Sequence, residues 1–377
     1  MSVCCAEFIL RNLEKPVKLA LFEKNSHGTG SYRLKPNLDI RTKVGNTEIS
    51  IKTNSFGMHW RQVDKENSGK KVRVAFVGDS FTFGCWAKNF QSSFVGAFET
   101  HLSKDNYEVL NFGVGGYGLS DIELLLREEI SHFHPDYIFL AFFNGNDFRD
   151  TYLGTEKYNI VEGAAQWDNR IIEEKLPPEY RTERHLDHAE GPKNILREKL
   201  ATSRALSRIR SIFLKTRKSI NNSENTSVFI NEFKHSKQIT SYPFWSQIPY
   251  PSVADNAREV SMQTLDRIRS FAQSRNMTLL VVSIPYREQV YVEKMAGIDY
   301  DLELPQRYVE TYAKENDVPY LDLLPLLREY VRDKHMDIYI SGDPHFNTRG
   351  HRIIGESIGN WFMGVVETGG DGINGGK

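Results

Sequence analysis

The sequence predicts an α/β fold, with a parallel β-sheet covered by helices on both faces. Two observations lead there. The stretches "VRVAFV" (72–77), "YIFLAFF" (137–143) and "TLLVVSI" (278–284) are almost wholly apolar over strand length, as strands buried on both faces are. Segments of helical periodicity recur between them, the alternation of a sheet built from parallel crossovers.

The elements follow in chain order. Residues 38–53 alternate apolar and polar around Gly45-Asn46, which reads as a β-hairpin with a two-residue turn. The first core strand, 72–77, is followed by a helix over 91–103 with Phe94, Val95, Phe98 and Leu102 on one face. A short strand at 107–111 precedes a helix carrying Ile122, Leu125, Leu126, Ile130 and Phe133. Strand 137–143 comes next. After an interruption the alternation resumes with a helix near 255–275, strand 278–284, a helix with Pro305 in its first turn, and a fifth strand within 318–323. The last helix begins near Thr348, with Asn347 placed to cap it.

Four regions are expected. Residues 1–71 form an N-terminal extension whose hairpin packs on the core. The core itself comprises 72–147 and 255–363. Residues 148–254 are polar and charged, broken by Pro177-Pro178 and Gly191-Pro192, and read as a helical insertion or cap. Within them 193–220 has an apolar stripe (Leu196, Leu200, Leu206, Ile209, Phe213) among lysines and arginines. That helix either packs as a solvated face or serves as a lid attracting an anionic partner. Trp167, Tyr180, Tyr242 and Trp245 either stack on sugar rings or anchor this cap. Residues 364–377 are rich in glycine and are expected to be disordered.

Composition narrows the function. With 48 Lys and Arg against 49 Asp and Glu in 377 residues, the chain gives no electrostatic reason to bind nucleic acid. Cys4, Cys5 and Cys85 make neither a disulfide framework nor zinc-ligand spacing. No apolar run reaches the roughly 18 residues of a membrane span. The N-terminus lacks a basic stretch followed by a long apolar one, so no signal peptide is read and a cytoplasmic location is expected.

In a parallel sheet, ligands gather at the carboxyl ends of the strands. Three such ends here carry Gly78-Asp79-Ser80, then Asn111 to Gly118 ("NFGVGGYG"), then Asn144 to Asp147 ("NGND"). A fourth element, "SGDPHFNTRGH" (341–351), stands before the final helix. Acyl transfer needs a hydroxyl, a base, a group orienting the base, and donors for the oxyanion. Ser80 supplies the hydroxyl, His345 the base and Asp343 the orienting carboxylate. The Ser80 N–H, a glycine N–H of the second loop and the Asn146 amide supply the donors. This chemistry requires no metal and no organic cofactor.

These four blocks resemble those of the SGNH/GDSL hydrolase family. The resemblance covers about 72–147 and 255–362. It implies a three-layer α/β/α sandwich with five parallel strands, of flavodoxin-like order. Carried onto this sequence, it makes Ser80 the nucleophile, His345 the base and Asp343 the third triad member. Ser80, Gly116 (five residues after Asn111) and Asn146 would form the oxyanion hole. Two departures stand out: Asn144 occupies the first position of the usual Gly-x-Asn-Asp block, and Asp343 lies two residues before His345 where three is common.

Competing readings are weighed on the same residues. Asp79 neighbours Ser80 in a tight turn and is assigned to loop hydrogen bonding, and Cys85 to packing. His351, inside the last helix, is read as structural, and His132 and His134 as helix-end residues. Gly113 to Gly118 also matches G-x-G-x-x-G, a dinucleotide fingerprint, but no acid directly follows the next strand to bind a ribose. The expected function is a serine ester hydrolase forming an acyl-enzyme on Ser80, acting on a small O-acyl ester of a carbohydrate or related metabolite. An O-acyltransferase using a sugar hydroxyl as acceptor is the first alternative, and a catalytically lapsed glycan-binding domain the second.

Overall fold

β-branched and aromatic residues fill the strands of the central sheet and alternate between its two faces. The structure, a computed structural model, describes residues 19–25, 32–44, 47–103, 105–180, 242–292, 300–340 and 343–373. Ahead of the core, β1 (Phe22–Glu23) pairs antiparallel with β2 (Arg33–Leu34), and β3 (Asp39–Val44) with β4 (Thr47–Lys52). The core begins with β5 (Val72–Gly78), α1 (Ser80–Phe83), α2 (Phe94–His101), β6 (Tyr107–Asn111), α3 (Leu119–Glu128), β7 (Tyr137–Phe143) and α4 (Asp147–Leu153). A hairpin, β8 (Tyr158–Val161) and β9 (Ala164–Trp167), and α5 (Asn169–Lys175) follow. The chain continues through α6 (Ser252–Ser274), β10 (Thr278–Ile284), α7 (Arg287–Tyr291), α8 (Leu304–Glu315), β11 (Tyr320–Asp322), α9 (Leu324–Arg332) and α10 (Thr348–Ile373).

The five-stranded sheet has the order β6-β5-β7-β10-β11, parallel throughout. On one face Ala75, Val77, Ile138, Leu140, Phe142, Leu279 and Val281 join residues of α3, α4, α6 and α8. On the other, Val74, Phe76, Phe139, Ala141, Phe143, Leu280 and Val282 join α2, α9 and α10. This is the three-layer α/β/α sandwich. Each large apolar side chain fully buried in it stabilises the fold by about 1.5–3 kcal/mol, so both layers are firmly held.

The strand order positions the site. From β5 the chain moves outward to β6 and then returns to β7 on the other side of β5. The crevice between the carboxyl ends of β5 and β7 is therefore the topological switch point.

The structure adds detail to the sequence expectations. Residues 148–254 begin with most of α4, which spans the 147/148 boundary and packs in the core, and the β8–β9 hairpin follows it. The turn of that hairpin, Glu162-Gly163, has φ of 52° and 78°, a pattern that suits a tight turn between two strands. Trp245 is fully buried against Phe148 and Phe244, which makes it an anchor and removes it from any sugar contact. The final helix runs through Ile373, past the start of the glycine-rich stretch at 364, and Met363, Val365 and Val366 pack on the core. The basic segment 193–220, the Gly45-Asn46 turn, Cys4 and Cys5 lie outside the described residues. No described helix is long and apolar enough to cross a membrane.

Candidate active site

Ser80 is the first residue of α1, directly after β5. Asp79 caps this single turn, its Oδ1 accepting from the Phe81 N–H at 2.9 Å. The Ser80 N–H thus stands among the orphan donors of a helix start. Its side chain points to the last block: Ser80 Oγ lies 2.8 Å from His345 Nε2. His345 Nδ1 lies 2.6 Å from Asp343 Oδ1. A carboxylate only accepts, so the proton sits on Nδ1 and leaves Nε2 free to accept from the serine hydroxyl.

The short Asp-to-His spacing is explained by the turn that holds it. The Ile340 N–H donates to the His345 carbonyl at 2.9 Å, and the Asp343 N–H donates to the Ile340 carbonyl at 3.2 Å. The same Asp343 Oδ1 accepts from the His345 N–H at 2.9 Å, which bends the carboxylate back beneath the ring. Its other oxygen accepts from the indole N–H of Trp86 at 3.1 Å. Burial pushes the Asp343 carboxyl up, but the hydrogen bonds from His345 and Trp86 outweigh it, and the group stays below its ordinary range.

The second loop is tied to the serine turn. The Asn111 amide donates to the Thr82 carbonyl at 3.0 Å, while its oxygen accepts from the Gly113 N–H at 2.9 Å. A side chain at Gly113 would lie 2.3 Å from the Phe83 nitrogen, so the close approach demands glycine. The glycine fingerprint thus has a packing origin here. Farther along, a Cβ built on Gly115 would lie 3.7 Å from the Ser80 Cβ, and Gly116 has φ +85°. The loop therefore runs beside the hydroxyl.

In the third loop Asn144, standing where glycine is usual, is fully buried. It donates to Ser283 Oγ at 2.6 Å, clamping the end of β7 to that of β10. Asn146 precedes α4, and its amide sits close enough to Asp79 to favour that carboxylate. Asp147 is buried and accepts from the Phe143 N–H at 2.8 Å. Burial raises the Asp79 carboxyl to about 6 and raises Asp147 well above its usual range, with Asp79 adding to the latter.

The remaining candidates fall away from the chemistry. His351 is buried and its Nδ1 accepts from the Phe94 N–H at 3.2 Å, a structural contact on α2. The Cys85 thiol is pushed far up by burial and is no nucleophile. His134 takes a left-handed conformation at the end of a 3-10 turn. Trp86 carried no signal in the sequence. Its partner lies 257 residues away, so only the folded chain reveals the contact.

Comparison with known proteins agrees with what the sheet and its switch point suggest. By its family the protein is an enzyme that hydrolyses carboxylic esters. It belongs to the GDSL-like Lipase/Acylhydrolase family, whose profile matches residues 76–353. Among solved structures it is similar to the acetyl xylan esterase AlAXEase, with 14% identity, TM-score 0.39, and coverage of 78% of this chain and 100% of that one. It is also similar to Axe2, an acetylxylan esterase from Geobacillus stearothermophilus, with 12% identity, TM-score 0.40, and coverage of 77% and 93%. A search of curated proteins finds no match.

Proposed function

We propose that the protein is a serine ester hydrolase working through an acyl-enzyme on Ser80. The carrying observation is the unbroken chain of contacts from Ser80 Oγ to His345 at 2.8 Å and from His345 to Asp343 at 2.6 Å. His345 Nε2 takes the hydroxyl proton as Oγ attacks the ester carbonyl, and Asp343 steadies the imidazolium that results. The oxyanion is held by the N–H groups of Ser80 and Gly116 and by the Asn146 amide. The imidazolium returns its proton to the leaving alkoxide. Water, deprotonated by the same ring, then attacks the acyl-enzyme, and the acid leaves as Oγ recovers its proton. Because the donors sit on loops fixed at strand ends, they need no reorganisation as charge develops.

The substrate class we infer is a small O-acyl ester of a carbohydrate or related metabolite. Aromatic rings near the site support it: Trp86 against Asp343, and Tyr242 packed at 5.4 Å on Phe143 at the end of β7. Such rings give flat apolar faces beside polar groups, the mixture small polar ligands use.

Labelling by a fluorophosphonate probe tests the nucleophile. Wild type is expected to label and Ser80→Ala not to; persistence of the label in the variant overturns the assignment. A series of aryl esters from acetate upward tests the acyl preference, with the short esters expected to turn over fastest.

A further inference from the structure

The segment before residue 76 is outside the matched family profile, yet one of its side chains reaches the second loop of the site. Tyr32, adjacent to β2, is almost completely buried. Its hydroxyl donates to the Gly115 carbonyl at 2.7 Å. The backbone carbonyl of Tyr32 in turn accepts from the hydroxyl of Tyr117, a residue of that loop, so two hydrogen bonds tie Tyr32 to the loop. The ring of Tyr32 is fixed edge-on by Phe22, Tyr117 and Tyr158, with centroids 5.1, 5.4 and 5.8 Å away. Burial raises its hydroxyl well above the usual tyrosine range, which keeps it a donor at all working pH values.

A peptide unit is planar, and in the trans form its C=O and N–H point in opposite directions. The Gly115–Gly116 bond is trans. Holding the Gly115 carbonyl therefore also aims the Gly116 N–H, away from Tyr32. With φ +85° at Gly116 and a Cβ at Gly115 only 3.7 Å from that of Ser80, this peptide lies beside the nucleophile. Among the described residues no partner engages the Gly116 N–H. Glycine-rich backbone on its own would let this peptide rotate.

We propose that Tyr32 is a positioning residue of the reaction: its hydroxyl locks the Gly115–Gly116 peptide so that the Gly116 N–H faces the developing oxyanion. The inference rests on the serine-hydrolase reading above. It makes the N-terminal extension a working part of the site.

The test is Tyr32→Phe, which removes one oxygen and keeps the ring. kcat/KM for an aryl acetate is expected to fall about tenfold, the scale of one hydrogen bond. The affinity of a trifluoromethyl ketone, which becomes an oxyanion when Ser80 adds, should fall by the same factor, while inhibition by the carboxylic acid product is unchanged. 3-Fluorotyrosine at position 32 restores the donor and should restore both values. Full kcat/KM and unchanged ketone affinity in Tyr32→Phe, or an equal loss with 3-fluorotyrosine, overturns the proposal. Should Tyr32→Phe fail to fold, ¹⁵N-glycine spectra of the wild type decide. The Gly116 N–H resonance should shift when the serine is phosphonylated, and an unmoved resonance overturns the proposal. Ser80→Ala separates the two readings. Activity surviving in that variant sinks the hydrolase mechanism, whereas an inactive Ser80→Ala beside an undiminished Tyr32→Phe sinks the positioning role alone.

Discussion

Trp86 holds one oxygen of Asp343 at 3.1 Å while His345 holds the other at 2.6 Å, so the carboxylate is gripped from both ends. A hydrogen bond to a charged group contributes about 1.5–3 kcal/mol. Trp86→Phe keeps the ring and removes the donor. kcat/KM should fall by about one order of magnitude, with far-ultraviolet dichroism unchanged. Wild-type turnover in this variant would show that His345 alone orients Asp343.

Asp343→Asn should be far more damaging. An amide at that position donates to Nδ1 and drives the proton to Nε2, the nitrogen that must accept from Ser80. A loss of about three to four orders of magnitude in kcat is expected, as for wrong-tautomer variants of other triads. Steady-state kinetics on an activated ester measures it.

On the proposed mechanism Asn146→Ala removes one oxyanion donor and leaves the contacts from Ser80 to Asp343 intact. The loss should be about 10²–10³ in kcat, with little change in KM. A larger effect on KM than on kcat would place the amide in substrate binding instead.

His351 gives a pH signature in stability. Burial lowers its imidazole from 6.5 to about 4. A lowered folded value means the unfolded chain binds the proton first. The histidine's contribution is therefore complete above pH 6.5 and is lost as pH falls toward 4. On the order of 3 kcal/mol is at stake. In His351→Gln that titration is absent, so the stability gap between wild type and variant should narrow steadily from pH 7 to pH 4.5 in urea melts. A constant gap would refute the assignment. Buried carboxylates such as Asp79 titrate in both proteins and cancel in the difference.

If the acyl-enzyme partitions to water, hydrolysis of an aryl acetate in the presence of a polyol should yield free acetate as the main product. Dominant transfer to the polyol would recast the enzyme as an acyltransferase. Chromatography of the products distinguishes the two.

Much of this was legible in the sequence, for physical reasons. Strands such as 137–143 and 278–284 are apolar on both faces, a signal that survives without tertiary context. Asn347 caps the last helix, as its residue type and place suggested, accepting from the N–H groups of Arg349 and Gly350. Ser80, Asp343 and His345, singled out because acyl-transfer chemistry restricts residue type and order, are brought within hydrogen-bonding distance along one chain of contacts. The helix Leu324–Arg332 went unread because it begins directly after the stretch taken as the fifth strand, which ends at Leu323. The hairpin at 158–167 was hidden by its short, half-buried strands. Tyr32 and Trp86 act on partners 83 and 257 residues away, and no local pattern marks either.

Ser80 and His345 are separated by 265 positions, with four of the sheet's five strands between them in the chain. On the proposed mechanism the hydroxyl emerges during synthesis before the base that activates it. The imidazole lies on the loop just before α10, a helix that packs on α2. By the same proposed mechanism a polypeptide lacking that loop is chemically silent, and onset of esterase activity reports that α10 has packed against α2.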